Sequence, residues 1–177
     1  MNKNIPNLIT ISRIALIPLF LYFIIVSYNC NPTNLLGIII SIFIFIILAV
    51  TDKIDGLLAR KYNIVSELGK FLDPMADKCL MIAGLGVLVF YNRLSWIIAG
   101  VLVLREVFIT IYRLLYVKRK AKIIAAGNLG KAKQVSFFII CPITFLPFVS
   151  TLINNILFLP VVAFSVCSAI GYYVRYR

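Results

Sequence analysis

The fold is decided by an uncharged apolar run in the first third of the chain. Residues 34–51 read NLLGIIISIFIFIILAVT, without one Asp, Glu, Lys or Arg. As an α-helix at ~1.5 Å per residue the run is ~27 Å long, which nearly matches the ~30 Å hydrocarbon core of a bilayer. The run therefore predicts a helix that crosses a membrane, and residues 8–28 predict another.

The composition of the whole chain agrees with a membrane protein. Of its 177 residues, 62% are apolar and 14% are charged, and the mean hydropathy is +1.03. A soluble domain has ~45–50% apolar and ~25% charged residues. We therefore exclude a soluble globular enzyme, a disordered chain and a small disulfide scaffold. The chain contains no His, which excludes His-based zinc sites and Ser-His-Asp triads.

The apolar runs predict a single all-α domain, residues 1–177, that forms a bundle of six transmembrane helices. The predicted spans are Leu8–Tyr28, Asn34–Thr51, a third ending at Tyr91, Leu94–Val117, Gln134–Ser150 and Asn155–Val174. The first is interpreted as a retained helix because no Ala-x-Ala cleavage site follows it. The third span begins either near Ser66, with a bend at Pro74, or at Asp73 acting as an N-cap.

The distribution of Lys and Arg predicts the orientation. The net charge is +12. With Arg105 set aside as lying inside a span, sixteen cations fall on one face of the bundle, and Arg93 alone falls on the other. The positive-inside rule then places both termini and the two basic loops in the cytoplasm. We expect a multi-pass protein of the cell membrane.

The acidic residues are concentrated in one segment. Five of the six in the chain lie between residues 52 and 77. Asp52 and Asp55 are three apart, and Asp73 and Asp77 are four apart, so each pair shares a helix face. Four carboxylates brought together repel one another unless cations neutralise them, and oxygen ligands suit Mg²⁺ or Mn²⁺. Ordinary interfacial charges paired with nearby Lys and Arg would explain only one or two of these acids.

The segment matches a known pattern, D-x-x-D-G-x-x-A-R followed by G-x-x-x-D-x-x-x-D. The matching positions are Asp52, Asp55, Gly56, Ala59, Arg60, Gly69, Asp73 and Asp77. This resembles the signature of the CDP-alcohol phosphatidyltransferase family. Residues 4–10, 68–74, 104–106 and 130–133 resemble the branch of that family that forms phosphatidylglycerophosphate. That branch usually has Thr where this chain has Gln134, a departure that leaves the acidic pattern complete.

The resemblance implies a reaction in which an alcohol attacks the lipid-side phosphorus of CDP-diacylglycerol and CMP leaves. It implies two Mg²⁺ or Mn²⁺ ions bound by Asp52, Asp55 and Asp73, with Asp77 as a further ligand and as the base for the attacking hydroxyl. The residues expected at the nucleotide are Gly56, Ala59, Arg60 and Gly69. Small residues let backbone approach the nucleotide, and Arg60 can contact phosphate with two nitrogens.

Four cations are candidates for binding the phosphate of the acceptor, glycerol 3-phosphate: Arg105, Arg113, Lys131 and Lys133. Arg105 lies midway along a predicted span, where a charge is costly. Its neighbour Glu106 is not expected to pair with it, because adjacent helical residues point ~100° apart. The cations of residues 118–122 are interpreted as contacts to anionic lipid headgroups. The expected partners are CDP-diacylglycerol, glycerol 3-phosphate, membrane lipids and a second copy of the chain, with no nucleic acid.

Three alternatives remain at this point. Within the family, the acceptor could be inositol phosphate, serine or a phospholipid, although serine would not need so many phosphate-binding cations. A cation transporter could use the four acids as a transit site, but the outer halves of several spans carry almost no polar residues. A structural scaffold predicts no acidic cluster.

Overall fold

We describe the chain from a computed structural model, which places the backbone of residues 5–30, 35–61, 67–120 and 128–176, and the side chains of residues 15–30, 35–51, 75–112 and 129–171. Over these ranges the chain forms six α-helices and no strand. The helices are α1 (Ile5–Cys30), α2 (Leu35–Lys61), α3 (Glu67–Phe90), α4 (Trp96–Lys120), α5 (Asn128–Thr144) and α6 (Thr151–Tyr176). The predicted all-α class is confirmed.

The bounds of two helices, α2 and α3, matter for the acidic residues. Helix α2 continues past Thr51 to Lys61, so Asp52 and Asp55 lie within one continuous helix. Helix α3 begins at Glu67, which agrees with the earlier of the two predicted starts. Asp73 and Asp77 therefore both lie within α3, about one helical turn apart.

The fifth span ends earlier than predicted. Helix α5 stops at Thr144, whereas the sequence predicted helix to Ser150. After Thr144 the backbone tightens into turns, in which Phe145 N donates to Pro142 O and Leu146 N donates to Ile143 O. Pro147 has no N–H with which to continue the helix. Helix α6 then begins at Thr151, four residues before the predicted start at Asn155.

A cluster of phenylalanines holds the bundle together. Its buried members are Phe20 on α1, Phe45 on α2, Phe137 on α5, Phe145 after α5 and Phe158 on α6, each at most 1% exposed. The Phe45 ring lies 5.4 Å from that of Phe20 and 5.8 Å from that of Phe145. The planes are tilted or edge-on, which suits the quadrupoles of aromatic rings. Contacts from α1, α2, α4 and α5 meet on α3.

The described residues contain one run long and apolar enough to cross a membrane by itself. It is Thr151–Gly171 on α6, 21 residues with a mean hydropathy of 2.0. Two shorter apolar runs, Ala15–Cys30 and Leu35–Thr51, belong to α1 and α2.

A tight turn with a bound arginine connects α3 to α4. Asn92 adopts a positive φ of 54°, the left-handed conformation with which many helices end. The turn presents Arg93 to the link between α5 and α6. Its guanidinium donates to the carbonyl oxygens of Thr144 at 3.3 Å and Val149 at 2.8 Å, and also to those of Leu146 and Pro147.

Arg93 also contacts α1 and α6. Its guanidinium carbon lies 5.8 Å from the centre of the Tyr28 ring on α1, within the range of a cation–π interaction. The Asn154 amide of α6 donates to the carbonyl oxygen of Arg93 at 2.9 Å. One side chain thus joins the first helix, the α3–α4 turn and the α5–α6 link.

We expect Arg93→Ala to lower the unfolding free energy by roughly 2 kcal/mol or more, since the carbonyls lose hydrogen bonds to a charged donor. Arg93→Lys should fall between wild type and Arg93→Ala, because an ammonium lacks the forked geometry of the guanidinium. The measurement is thermal unfolding in detergent, with Lys131→Ala as a control that removes an exposed cation. Equal melting of Arg93→Ala and wild type would mean that water replaces the guanidinium.

Candidate functional site

Polar side chains from α3, α4, α5 and α6 meet inside the bundle, in what we call the polar layer. Its members are Asp77, Lys78, Arg105, Glu106, Thr110, Lys133, Gln134, Ser165 and Ser168. Each helix contributes at least two of them. Buried polar groups need partners, so these side chains fix how the four helices pack.

Glu106 is the central anion of the polar layer. Its Oε1 lies 2.5 Å from Arg105 Nη1 and also accepts a hydrogen bond from Lys133 Nζ. The three side chains are only 8–15% exposed. The prediction that Arg105 and Glu106 do not pair is wrong, because the long arginine side chain bends around the helix to reach its neighbour. The triad carries two positive charges and one negative charge.

Arg105 is held on a second side by α6. Its Nε donates to the carbonyl oxygen of Ser165 at 3.1 Å, and its Nη2 donates to Ser168 Oγ at 2.7 Å. The cost of a charge midway along this helix is therefore met largely within the protein. Ser165 Oγ is itself buried and finds no hydrogen-bond partner among the described residues.

Asp77 lies on the α3 side of the polar layer. Gln134 Nε2 on α5 donates to Asp77 Oδ2 at 2.6 Å. The next residue, Lys78, donates from Nζ to Thr110 Oγ1 on α4 at 2.6 Å. Gln134 is the position at which the chain departs from the branch that forms phosphatidylglycerophosphate, so the departure falls on a direct contact with a predicted catalytic carboxylate.

The structure brings some of the predicted acceptor residues together. Arg105 and Lys133 share Glu106, whereas Lys131 is exposed. Residues two apart on a helix point to nearly opposite sides, so Lys131 and Lys133 do not serve one pocket in the same way. The side chain of Arg113 lies outside the described residues.

Most of the predicted metal and nucleotide residues also have side chains outside the described ranges. They are Asp52, Asp55, Gly56, Ala59, Arg60, Gly69 and Asp73. Their backbone positions are known: the first five lie on α2 and the last two on α3. The convergence of four carboxylates therefore stays a prediction.

Sequence analysis missed Gln134, Ser165 and Ser168 as partners in the site. The two serines are three apart on an apolar helix, so they share a face, and that spacing was an available signal. The only signal for Gln134 in the sequence was its departure from the residue usual in the phosphatidylglycerophosphate-forming branch.

We expect Glu106→Gln to lower the unfolding free energy by about 3 kcal/mol, because Arg105 and Lys133 would be left buried together without an anion. Adding Lys133→Met to that variant removes one of the two cations and should restore part of the loss. Thermal unfolding in detergent measures both effects. Lys131→Gln is the control, since that lysine is exposed and should matter little. Wild-type stability in Glu106→Gln would mean that other groups compensate the two cations.

Comparison with known proteins agrees with the pattern in α2 and α3. A family model described as CDP-alcohol phosphatidyltransferase matches residues 3–167. A protein of Bacillus subtilis (strain 168) named CDP-diacylglycerol--glycerol-3-phosphate 3-phosphatidyltransferase is 37% identical over 137 residues, which cover 73% of this chain and 70% of that protein. Proteins of the same name from Haemophilus influenzae and Salmonella typhimurium are 37% identical over 115 residues and 36% identical over 140.

The Haemophilus and Salmonella matches cover different fractions of the aligned proteins. The Haemophilus match covers 64% of this chain and 59% of that protein, and the Salmonella match covers 77% and 73%. The matched family model spans most of the chain, including every position of the acidic pattern. The family resemblance predicted from those positions is thereby confirmed, and the chain belongs to the CDP-alcohol phosphatidyltransferase family.

Proposed function

We propose that this protein transfers the phosphatidyl group of CDP-diacylglycerol to glycerol 3-phosphate, giving phosphatidylglycerophosphate and CMP in phospholipid biosynthesis. The observation that carries this conclusion is that similar proteins from three bacteria are named for this reaction. This chain also keeps all eight positions of the family pattern. The other acceptors and the cation transporter are not favoured. The direct test is to incubate purified protein with labelled CDP-diacylglycerol and a panel of acceptors and to identify the lipid product.

In the proposed reaction, a hydroxyl oxygen of glycerol 3-phosphate attacks the phosphorus of CDP-diacylglycerol that carries the diacylglycerol group. The bond from that phosphorus to the CMP oxygen breaks, and Asp77 accepts the proton of the hydroxyl. Gln134 holds one oxygen of Asp77 at 2.6 Å, which orients the carboxylate. Gly56, Ala59, Arg60 and Gly69 would hold the CDP group.

We propose that Asp52, Asp55, Asp73 and Asp77 hold two Mg²⁺ or Mn²⁺ ions. The donor set supports this, because it consists of carboxylate oxygens on two helices that contact each other, and oxygen donors suit these ions. Two ions bound there would neutralise the pyrophosphate and stabilise the leaving phosphate.

We expect activity to vanish in excess chelator and to return with Mg²⁺ or Mn²⁺. Asp52→Asn, Asp55→Asn and Asp73→Asn should each lower turnover by a factor of about 100 or more while the protein still folds, because each change removes a charged ligand that stabilises the transition state. Product formation and thermal unfolding are measured on the same preparations. Near-normal turnover in any of the three would exclude that residue as a ligand.

The polar layer supports a binding site for the acceptor phosphate. The Arg105–Glu106–Lys133 triad has one positive charge more than its carboxylate neutralises. Ser165 Oγ offers a buried polar atom that no described side chain or backbone group satisfies. A phosphate monoester would meet both needs, and guanidinium matches its oxygens geometrically. Arg113 and Lys131 are proposed as outer contributors to the same site.

We expect Arg105→Gln to raise the KM for glycerol 3-phosphate by roughly tenfold or more while changing the KM for CDP-diacylglycerol little, if the arginine contributes to ground-state binding of the acceptor. A two-substrate steady-state series gives both constants, and neither depends on the fraction of protein that is folded. Lys131→Gln is the control and should produce a smaller change. Equal shifts in both constants would assign Arg105 to structure alone.

We propose that all six helices cross the cell membrane and that the active site faces the cytoplasm. The α3 and α6 members of the polar layer lie toward the side of the basic loops: at ~1.5 Å per residue Asp77 is ~20 Å from the end of α3 at Phe90, and Ser165 is ~21 Å from the start of α6 at Thr151. Both distances exceed half of a ~30 Å hydrocarbon core. Large apolar side chains such as Phe43, at 63% exposed, cover the outside of the bundle, where lipids and a second copy of the chain would contact them.

We expect a cysteine at Lys120 to react with an impermeant thiol reagent only after the membrane is broken, because the cations mark the cytoplasmic side. The four native cysteines are first replaced. Ser150→Cys, in the exposed link between α5 and α6, is the matched control and should react in intact cells. The reverse labelling pattern would invert the orientation.

A further inference from the structure

Two successive residues of α5 bind the two acids whose side chains the structure describes. Lys133 Nζ donates to Glu106 Oε1 on α4, and Gln134 Nε2 donates to Asp77 Oδ2 on α3 at 2.6 Å. Successive residues of a helix point ~100° apart, so these two side chains diverge toward different helices. A single turn of α5 thus holds one carboxylate on α3 and one on α4.

The two donors differ in charge. Lys133 forms an ion pair with Glu106, whereas the side-chain amide of Gln134 is neutral. The amide therefore orients the Asp77 carboxylate without forming an ion pair with it. The contact between Gln134 and Asp77 is thus a matter of geometry, since it determines where the carboxylate lies between α3 and α5.

The length of the glutamine side chain distinguishes this contact from one made by threonine. The amide nitrogen of Gln134 is bonded to Cδ, whereas the hydroxyl of Thr, the usual residue in the phosphatidylglycerophosphate-forming branch, is bonded to Cβ. A Thr hydroxyl at position 134 would lie two bonds nearer the backbone of α5. The observed contact with Asp77 thus follows from the residue at which this chain departs from that branch.

We propose that Gln134 sets the distance between Asp77 and the acceptor phosphate site, and thereby selects an acceptor whose hydroxyl and phosphate are separated by three carbons. The inference rests on the proposed function. In that reaction Arg105 and Lys133 bind the phosphate of glycerol 3-phosphate, and Asp77 accepts the proton of the hydroxyl at the other end of the molecule. Since Lys133 and Gln134 are consecutive, one short piece of backbone positions the groups that meet both ends of the acceptor.

Selection by spacing follows from the steep dependence of rates on alignment. A displacement of ~1 Å between reacting groups can lower a rate by a factor of about 100. When its phosphate is bound, an acceptor with one carbon more or fewer places its hydroxyl away from the Asp77 carboxylate. In this scheme Gln134 touches neither substrate and acts on turnover through Asp77, so it is a positioning residue.

Acceptors of different length test the proposal. They are 2-hydroxyethyl, 3-hydroxypropyl and 4-hydroxybutyl phosphate, of which the second has the spacing of glycerol 3-phosphate. Wild type should use 3-hydroxypropyl phosphate with a kcat/KM roughly tenfold or more above that of the other two. Gln134→Met keeps the side-chain length and removes the donor. It should lower kcat for 3-hydroxypropyl phosphate roughly tenfold and reduce the preference to about threefold or less, with little change in the KM for CDP-diacylglycerol.

The preference is a ratio measured on one preparation, so it does not depend on the fraction of protein that is folded. Gln134→Asn, which withdraws the amide by one methylene, should also reduce the preference. Ile139→Met on the same helix, at a position that is 60% exposed, is the matched control and should retain the wild-type kcat and preference. A wild-type preference in both Gln134 variants, or a wild type that does not prefer three carbons, would overturn the proposal.

The product assay with glycerol 3-phosphate on the wild-type protein separates this proposal from the proposed reaction. Formation of a different lipid, without phosphatidylglycerophosphate, would refute the proposed reaction. Phosphatidylglycerophosphate from the wild type, together with an unchanged preference in the two Gln134 variants, would refute the role of Gln134 alone.

Discussion

The packing of α4, α5 and α6 depends on one carboxylate. Glu106 binds both Arg105 and Lys133 inside the bundle, and each of those cations would be costly to bury without it. Arg105 continues the network to α6 through Ser168, and the residue after Lys133 continues it to Asp77 on α3. The orientation of Asp77, the predicted catalytic carboxylate, thus depends indirectly on the ion pair between Arg105 and Glu106 on α4.

The fold was predictable from the sequence in its class and number of elements, because long apolar runs and scarce charges leave few alternatives. The ends of the helices were less predictable. Helix α5 stops at Thr144, where Arg93 from another part of the chain binds the carbonyls that the helix leaves free. Hydropathy along the chain contains no information about such a distant donor.

The candidate site was predictable as far as residue type and spacing determine it. Asp52, Asp55, Asp73 and Asp77 stand out because acids are rare in this chain, and a membrane makes each charge conspicuous. The sequence analysis did not expect Arg105 and Glu106 to pair, because adjacent helical residues point ~100° apart. That argument ignores the length of the arginine side chain, which reaches Glu106. The contact between Gln134 and Asp77 depends on how α5 packs against α3, which the sequence pattern does not determine.

The contacts of Arg93 have a consequence for biogenesis. The carbonyls that it binds lie 51 to 56 residues further along the chain, so the ribosome makes the arginine well before its acceptors. Until the α5–α6 link has been made, the guanidinium lacks the four carbonyl oxygens that it binds in the folded protein. Closing so long a loop is slow relative to local helix formation. The end of the bundle that contains the α3–α4 turn therefore locks last, after translation of the final helix, and a truncated nascent chain lacks that lock.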